Sequence, residues 1–440
     1  MMSSEGHQHR TALDTALPRA GPGACALPSR LKPWVFVLEG VNAFAVTLYS
    51  NYLFFHLRRA FGFSNAGNLF LCAMGGLVYT VGAWYGGQVA QRRGCFFALR
   101  AGLGGMAVVL LAGSQARTAV GHFATLMVWT MVMSLTWPSL EALTSEGEPR
   151  PRLLRLLGVY NVVWATTGGL ANFVGGALLD RLGPGSIFGV PAALNAGELA
   201  LLWWLAKQAR HTPLAGSEAA GRNEAAGNGA GAEMEERHAS ALPPKVFLKM
   251  AWVANPFAYI AINTLIPVIP RLAERFEFSA TQAGFFCSVW YFARAVSFAL
   301  LWQWTRWHYR FGWLAGAYVT MGLGYGLILL GPSLWVLLAA QLAFGLGVGL
   351  VYYSSLFYSM DVGRTKGEHG GFHEAALGAG GCFGSAVGAA SLRFFPGAPN
   401  MNAYAVSGLL AAGFGWLLLL RRGRKELGSQ ESRKETFLSS

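Results

Sequence analysis

The sequence predicts an all-α membrane protein in which twelve transmembrane helices form two six-helix bundles. Three observations lead there. Of 440 residues, 53% are hydrophobic and only 12% charged, about half the charged share of an ordinary soluble domain. Twelve apolar stretches are long enough to cross roughly 30 Å of hydrocarbon, six before and six after a polar connector. The two sets of six are copies of one another.

Along the chain, residues 1–32 contain Ala, Pro, Gly and scattered basic residues but no apolar core of signal-peptide length, so they are expected to form a disordered tail. The first bundle is expected over residues 33–206, with spans near 33–55, 66–89, 95–113, 119–144, 156–179 and 186–206. A connector at 207–246 is rich in Ala, Gly, Glu and Arg and nearly free of aromatics, a composition that cannot bury enough surface to fold alone. The second bundle follows over 247–420, with spans near 247–270, 281–304, 311–330, 334–360, 371–392 and 401–420, and a basic tail occupies 421–440.

The formal charge of +13 does not indicate a nucleic-acid partner, because the basic residues sit in short clusters between apolar runs. Lys and Arg are retained on the cytoplasmic side during insertion. Of the 34, 25 fall on the side that holds both termini and seven on the other. Both termini are therefore expected in the cytoplasm, with the protein spanning the plasma membrane or, in a bacterium, the inner membrane. Cys25, Cys72, Cys95, Cys287 and Cys382 stand singly with no CxxC pair, and free, packed thiols are expected.

The repeat is explicit. Residues 57–72 align with 272–287 at a shift of 215, matching Leu57, Phe61, Phe63, Ser64, Phe70 and Cys72 with Leu272, Phe276, Phe278, Ser279, Phe285 and Cys287. At a shift of 212, Gly158, Gly168, Gly169, Gly176, Ala177 and Arg181 match Gly370, Gly380, Gly381, Gly388, Ala389 and Arg393. Each copy makes an even number of crossings, so the halves share an orientation and are related by a pseudo-twofold axis along the membrane normal. The glycine rows suit close helix approach in lipid, where small residues let backbones touch.

Ionisable side chains at membrane depth are costly and normally face a cavity or a partner. The first span carries Glu39, Asn42, Val46 and Tyr49 along one face, which is expected to line water. In the fourth, Met133, Trp137 and Glu141 share a face beside Pro138, which is expected to kink the helix. The seventh presents Asn255, Tyr259 and Asn263 among Pro256, Pro267 and Pro270. Arg294 lies near the middle of the eighth span, the tenth adds Tyr352, Tyr353 and Tyr358, and the eleventh adds His373 and Glu374. Glu198, in the sixth, reads as a structural pair. His369 and His373 beside Glu368 and Glu374 could hold a metal, but Gly370-Gly371 intervenes and the order is not H-E-x-x-H. No metal site is expected.

After the second span, Gly87-Gln88-Val89-Ala90-Gln91-Arg92-Arg93-Gly94 looks like the G-x-x-x-D-R-x-G loop of the major facilitator superfamily. Together with two tandem six-span halves and a polar linker, it makes the chain resemble that superfamily from Pro33 to Leu420. The resemblance implies a gating loop at Gly87, Gln91, Arg92 and Gly94, although Gln91 replaces the acidic residue of the usual charge latch. It also implies a cavity lined by the first, fourth, seventh and tenth spans. Thr167 to Gly176 is similar to an antiporter signature, with Ala171-Asn172 in place of its Gly-Pro.

These readings lead to a secondary transporter that moves a small polar or amphipathic solute by alternating access. Protons are the expected coupling ion because carboxylates and His373 can titrate there. Glu39 or Glu141 is expected to exchange the proton, with Arg294 and the Asn and Tyr stripes holding the solute. No cofactor is expected, since no G-x-x-x-x-G-K-[ST] loop is present, and a monomer is expected. Two alternatives use the same fold: a membrane-embedded metal-dependent enzyme built on Glu368, His369, His373 and Glu374, or a non-transporting sensor or scaffold.

Overall fold

A computed structural model of the protein describes residues 25–211, 242–362 and 366–438. It contains twelve helical spans long and apolar enough to cross a membrane. In the first half these are α1 (Ser29–Phe61), α2 (Asn65–Arg93), α3 (Cys95–Gly113), α4 (Ala119–Ser145), α5 (Arg152–Leu182) and α6 (Ser186–His211). The second half contains α7 (Pro244–Arg275), α8 (Ala280–Gln303), α9 (Phe311–Leu330), α10 (Leu334–Ser359), α11 (His373–Phe394) and α12 (Met401–Arg422). Most of the connector, 212–241, lies outside the described residues.

Proline sets the breaks. A proline ring clashes with the carbonyl four residues earlier, and in α4 the helix is interrupted at Ser134 and Leu135, with Pro138 early in the second segment. In α7 the helix gives way after Leu265 to a 3-10 turn over Ile266–Val268, between Asn263 and Pro270.

The repeat is a repeat of backbone geometry. Ser64 caps α2 by accepting from the Gly67 N–H at 3.2 Å, and Ser279 caps α8 by accepting from the Gln282 N–H at 3.1 Å. Gly62 ends α1 at φ +66°, and its partner at the 215 shift, Glu277, adopts φ +55°. Gly94, at φ +89°, corresponds to Tyr309 at φ +52°. The left-handed turn thus persists in the second half where the glycine has been lost, a conformation that disfavours side-chain-bearing residues.

The halves meet where α2 lies along α11 and α5 along α8. A Cβ on Gly76 would stand 2.5 Å from the Cys382 nitrogen, and one on Gly176 would fall on the Ala280 carbonyl. Only glycine permits that approach.

Two expectations are corrected near the N-terminus. Cys25 and Cys95 form a disulfide instead of lying free, whereas Cys72, Cys287 and Cys382 are free thiols. Residues 25–32, assigned by composition to a disordered tail, are packed: Leu27 and Leu31 are buried. Lys32 pairs with Glu148 at 2.8 Å and donates to the Thr144 carbonyl at 2.8 Å. Composition cannot anticipate these contacts, because the partners lie 70 residues away for Cys25 and more than a hundred for Lys32. The expected gating loop is mostly helix: Gly87, Gln91 and Arg92 lie in the last turns of α2, Gly87 buried and the other two exposed, and only Gly94 caps the end, donating to the Ala90 carbonyl at 2.9 Å. Arg93 lies over the Phe97 ring at 5.0 Å.

Candidate functional site

A cavity of about 280 Å³ lies between the halves, walled by α1, α2, α4 and α5 on one side and α7, α8, α10 and α11 on the other. Of the residues singled out in the sequence, Val46, Met133, Trp137, Glu141, Tyr259, Asn263, Arg294, Tyr352 and Glu374 line it. The wall also contains Asn51, Tyr79, Tyr160, Trp164 and Tyr291.

The other sequence candidates lie elsewhere. Tyr49 packs into the first bundle, 4.7 Å from Trp129 and 5.5 Å from Phe188. Tyr353 stacks near Phe298 and Trp307, and Asn255 is buried away from the wall. The His373 ring sits 5.6 Å from that of Tyr352. Side chains of Glu368 and His369 lie outside those described. Among the described residues, no three His, Cys, Asp or Glu side chains converge as a metal site requires.

Glu39 and Asn42 are a correction of direction. The α1 face that lines the cavity is Ala43, Val46, Thr47, Ser50, Asn51 and Phe54. At about 100° per residue, it is rotated roughly a quarter turn from the stripe of Glu39, Asn42, Val46 and Tyr49. Val46 apart, that stripe turns into the first bundle, toward α6, with Asn42 also donating to the Thr136 hydroxyl of α4 at 3.4 Å. Trp34 meets Trp204 at 5.0 Å and Tyr49 meets Phe188 at 5.5 Å, an antiparallel register that sets Glu39 level with Glu198 and Asn42 level with Asn195. All four are buried. Among the described residues, neither carboxyl oxygen of Glu198 or of Glu39, nor either polar side-chain atom of Asn195, has a hydrogen-bond partner, and Glu39 lies near Tyr160.

Charge in the cavity is arranged in two groups. Glu141 and Glu374 approach from opposite halves within electrostatic reach of one another, and the Tyr79 phenol donates to Glu374 Oε2 at 2.5 Å. Arg294 stands apart, its guanidinium 4.4 Å over Trp164, 4.9 Å from Trp290 and 5.3 Å from Tyr291. The face of an aromatic ring attracts such a cation.

At the end of the bundle away from the chain termini, the halves are pinned together. Arg58 donates twice to the Glu274 carboxylate, at 2.5 and 2.6 Å. Asp180 accepts from Arg59 at 3.1 Å and, across the seam, from the backbone N–H and hydroxyl of Thr281 at 2.8 and 2.9 Å. Asn51 donates to the Tyr291 hydroxyl at 2.8 Å and to Asn172 Oδ1 at 3.0 Å, flooring the cavity.

Twelve spans in two repeated halves around a central cavity decide the architecture. The chain has the major facilitator fold. It matches a solved nucleoside transporter, NupG, with a TM-score of 0.64 and 13% identity, over 89% of this chain and 99% of that one. A solved proton-dependent oligopeptide transporter aligns at a TM-score of 0.64 and 17% identity, over 90% and 99%. The human organic anion transporter MFSD10 aligns at 0.58 and 16%, over 88% and 99%. Neither a family profile nor a curated protein matches the chain. At these identities the likeness concerns the fold.

Proposed function

We propose that this major facilitator fold is a secondary transporter that moves a small polar or amphipathic solute by alternating access, coupled to protons. The observation that carries the reading is the cavity between the halves, whose wall holds Glu141, Glu374 and a buried Arg294 beneath a pinned far end. A site at the interface of two repeats is what alternate exposure requires. The solved neighbours carry nucleosides, oligopeptides and organic anions, which supports a small solute. Glu141 and Glu374 are the proposed proton carriers. Arg294, Asn263, Tyr259 and Trp137 are the proposed solute contacts.

The basic residues clustered near both termini support placing that side in the cytoplasm, so the pinned end faces outward and the cavity is served from within. The test is uptake into proteoliposomes with and without an imposed pH gradient. A gradient-driven flux that Glu141→Gln and Glu374→Gln each abolish, with expression intact, is expected. Wild-type flux that does not respond to the imposed gradient sinks proton coupling, and absence of flux for any solute sinks the transporter reading.

A further inference from the structure

Resting on the transporter reading, a narrower conclusion follows from how Arg294 is held. Arg294 is 4% exposed, its Nε is buried without a hydrogen-bond partner, and the guanidinium forms no ion pair or hydrogen bond among the described residues. Three aromatic faces surround it. Those rings stabilise the charge but accept no conventional hydrogen bond, so a planar fork of N–H donors at the cavity wall is left without oxygen acceptors. A carboxylate is the complementary group, since its two oxygens match the fork.

The remaining wall is flat and unsaturated. Trp164 lies 6.3 Å from Trp137 and 5.6 Å from Tyr352, which in turn lies 6.2 Å from Tyr259. At about 280 Å³ the space sits at the low end of ligand cavities.

We infer that the solute is a small aromatic or otherwise flat organic monoanion, bound by Arg294, and that it enters together with protons on Glu141 and Glu374. Charge balance gives the reason. With both carboxylates ionised, the cavity carries one net negative charge and repels an anion. With both protonated it carries one net positive charge, and the bound monoanion neutralises it. A neutral loaded site crosses a low-dielectric barrier at least cost. By linkage, protons then strengthen anion binding and the anion strengthens proton binding.

The other groups facing this site do not reverse the sign. Tyr79, Tyr160, Tyr259, Tyr291 and Tyr352 surround the acids and Arg294. Phenols are neutral in the physiological range. His373, next to Glu374 in the chain, adds positive charge when protonated and acts in the same direction. Glu39, which faces α6 behind the wall and interacts electrostatically with Glu141 and Glu374, also becomes neutral when protonated.

The experiment uses full-length purified protein in nanodiscs, with tryptophan-fluorescence quenching as readout. The probes are benzoate, phenylacetate and indole-3-acetate, their neutral amides, and the amine benzylamine, titrated from about pH 5 to about pH 8. The acids are expected to bind at least about tenfold tighter than the amides or the amine. Their affinity should fall as pH rises, less steeply in Glu141→Gln and Glu374→Gln. Arg294→Lys should weaken the acids while leaving the amides unchanged, and wild-type titrations decide the matter even if that variant folds poorly. Equal binding of amide and acid, or acid affinity flat across this range, overturns the inference. Should gradient-driven flux of a neutral solute persist in Arg294→Lys, the transporter reading stands while the anion assignment falls.

Discussion

Arg294 of α8 reaches across the seam and sets its guanidinium 4.4 Å over the indole of Trp164 in α5. The contact joins the two halves at the level of the cavity, where a change in their relative position must alter it. Replacing Trp164 with Leu removes one of the three faces around the cation. A desolvated pair of this kind contributes about 1–2 kcal/mol, so a lower melting temperature is expected in a thermal-shift assay. Restoration by Trp164→Phe should be partial. An unchanged melting temperature in Trp164→Leu would show that the contact stabilises nothing.

The far-end contacts should behave differently. Arg58 and Glu274 are partly exposed, at 21% and 57%, and exposed ion pairs contribute about 0–1 kcal/mol. Asp180→Asn and Glu274→Gln should therefore leave overall stability almost unchanged and let the two halves part at this end. A cysteine placed at Ser50 in a background without free thiols should react faster with a water-soluble maleimide applied from the far side. Equal rates in variant and parent would mean that these contacts do not hold the mouth.

Buried and unsatisfied, Glu198 stands against the tendency of polar groups at membrane depth to find partners. An unpartnered buried polar group costs about 1–3 kcal/mol by mutational measures. Glu198→Met is therefore expected to raise the melting temperature and leave solute binding untouched. Loss of binding or of pH-driven flux in this variant would show that the α1–α6 seam takes part in transport.

The disulfide closes a loop of 70 residues between Cys25 and Cys95. Cross-links of that span stabilise by about 2–5 kcal/mol, largely through the unfolded chain. Reduction, or Cys25→Ser, should lower the melting temperature and free residues 25–31 to proteolysis. Thiol counting by mass spectrometry should find two more alkylated cysteines after reduction than before. Three sites alkylated both before and after reduction would mean that the bond resists the reductant, and five before would mean that it is absent.

The sequence displayed the twelve spans because apolar length is a local property, and it displayed the duplication because Ser64 and Ser279 kept both identity and task. Tyr309 hid its kinship with Gly94, since a turn can be retained by surrounding packing after the residue that favours it has gone. In α1 both faces carry polar residues, so periodicity could not say which one faces the cavity. The rotation is fixed by contacts with α6, such as Tyr49 on Phe188. Asn51 and Tyr79 were overlooked for a related reason: their roles depend on Tyr291 and Glu374, more than two hundred residues away. Arg294 stood out because a lone cation at membrane depth is tolerable only beside a cavity or an anionic partner.

Asp180 holds Thr281 at the first turn of α8, and Arg294 stands on the same element roughly 20 Å farther along. Between them the helix is interrupted at Ser288. The far-end contact and the proposed solute-binding arginine are thus fixed to one jointed lever, along which a tug at Arg294 would be felt at Thr281 with no relay through the rest of the protein.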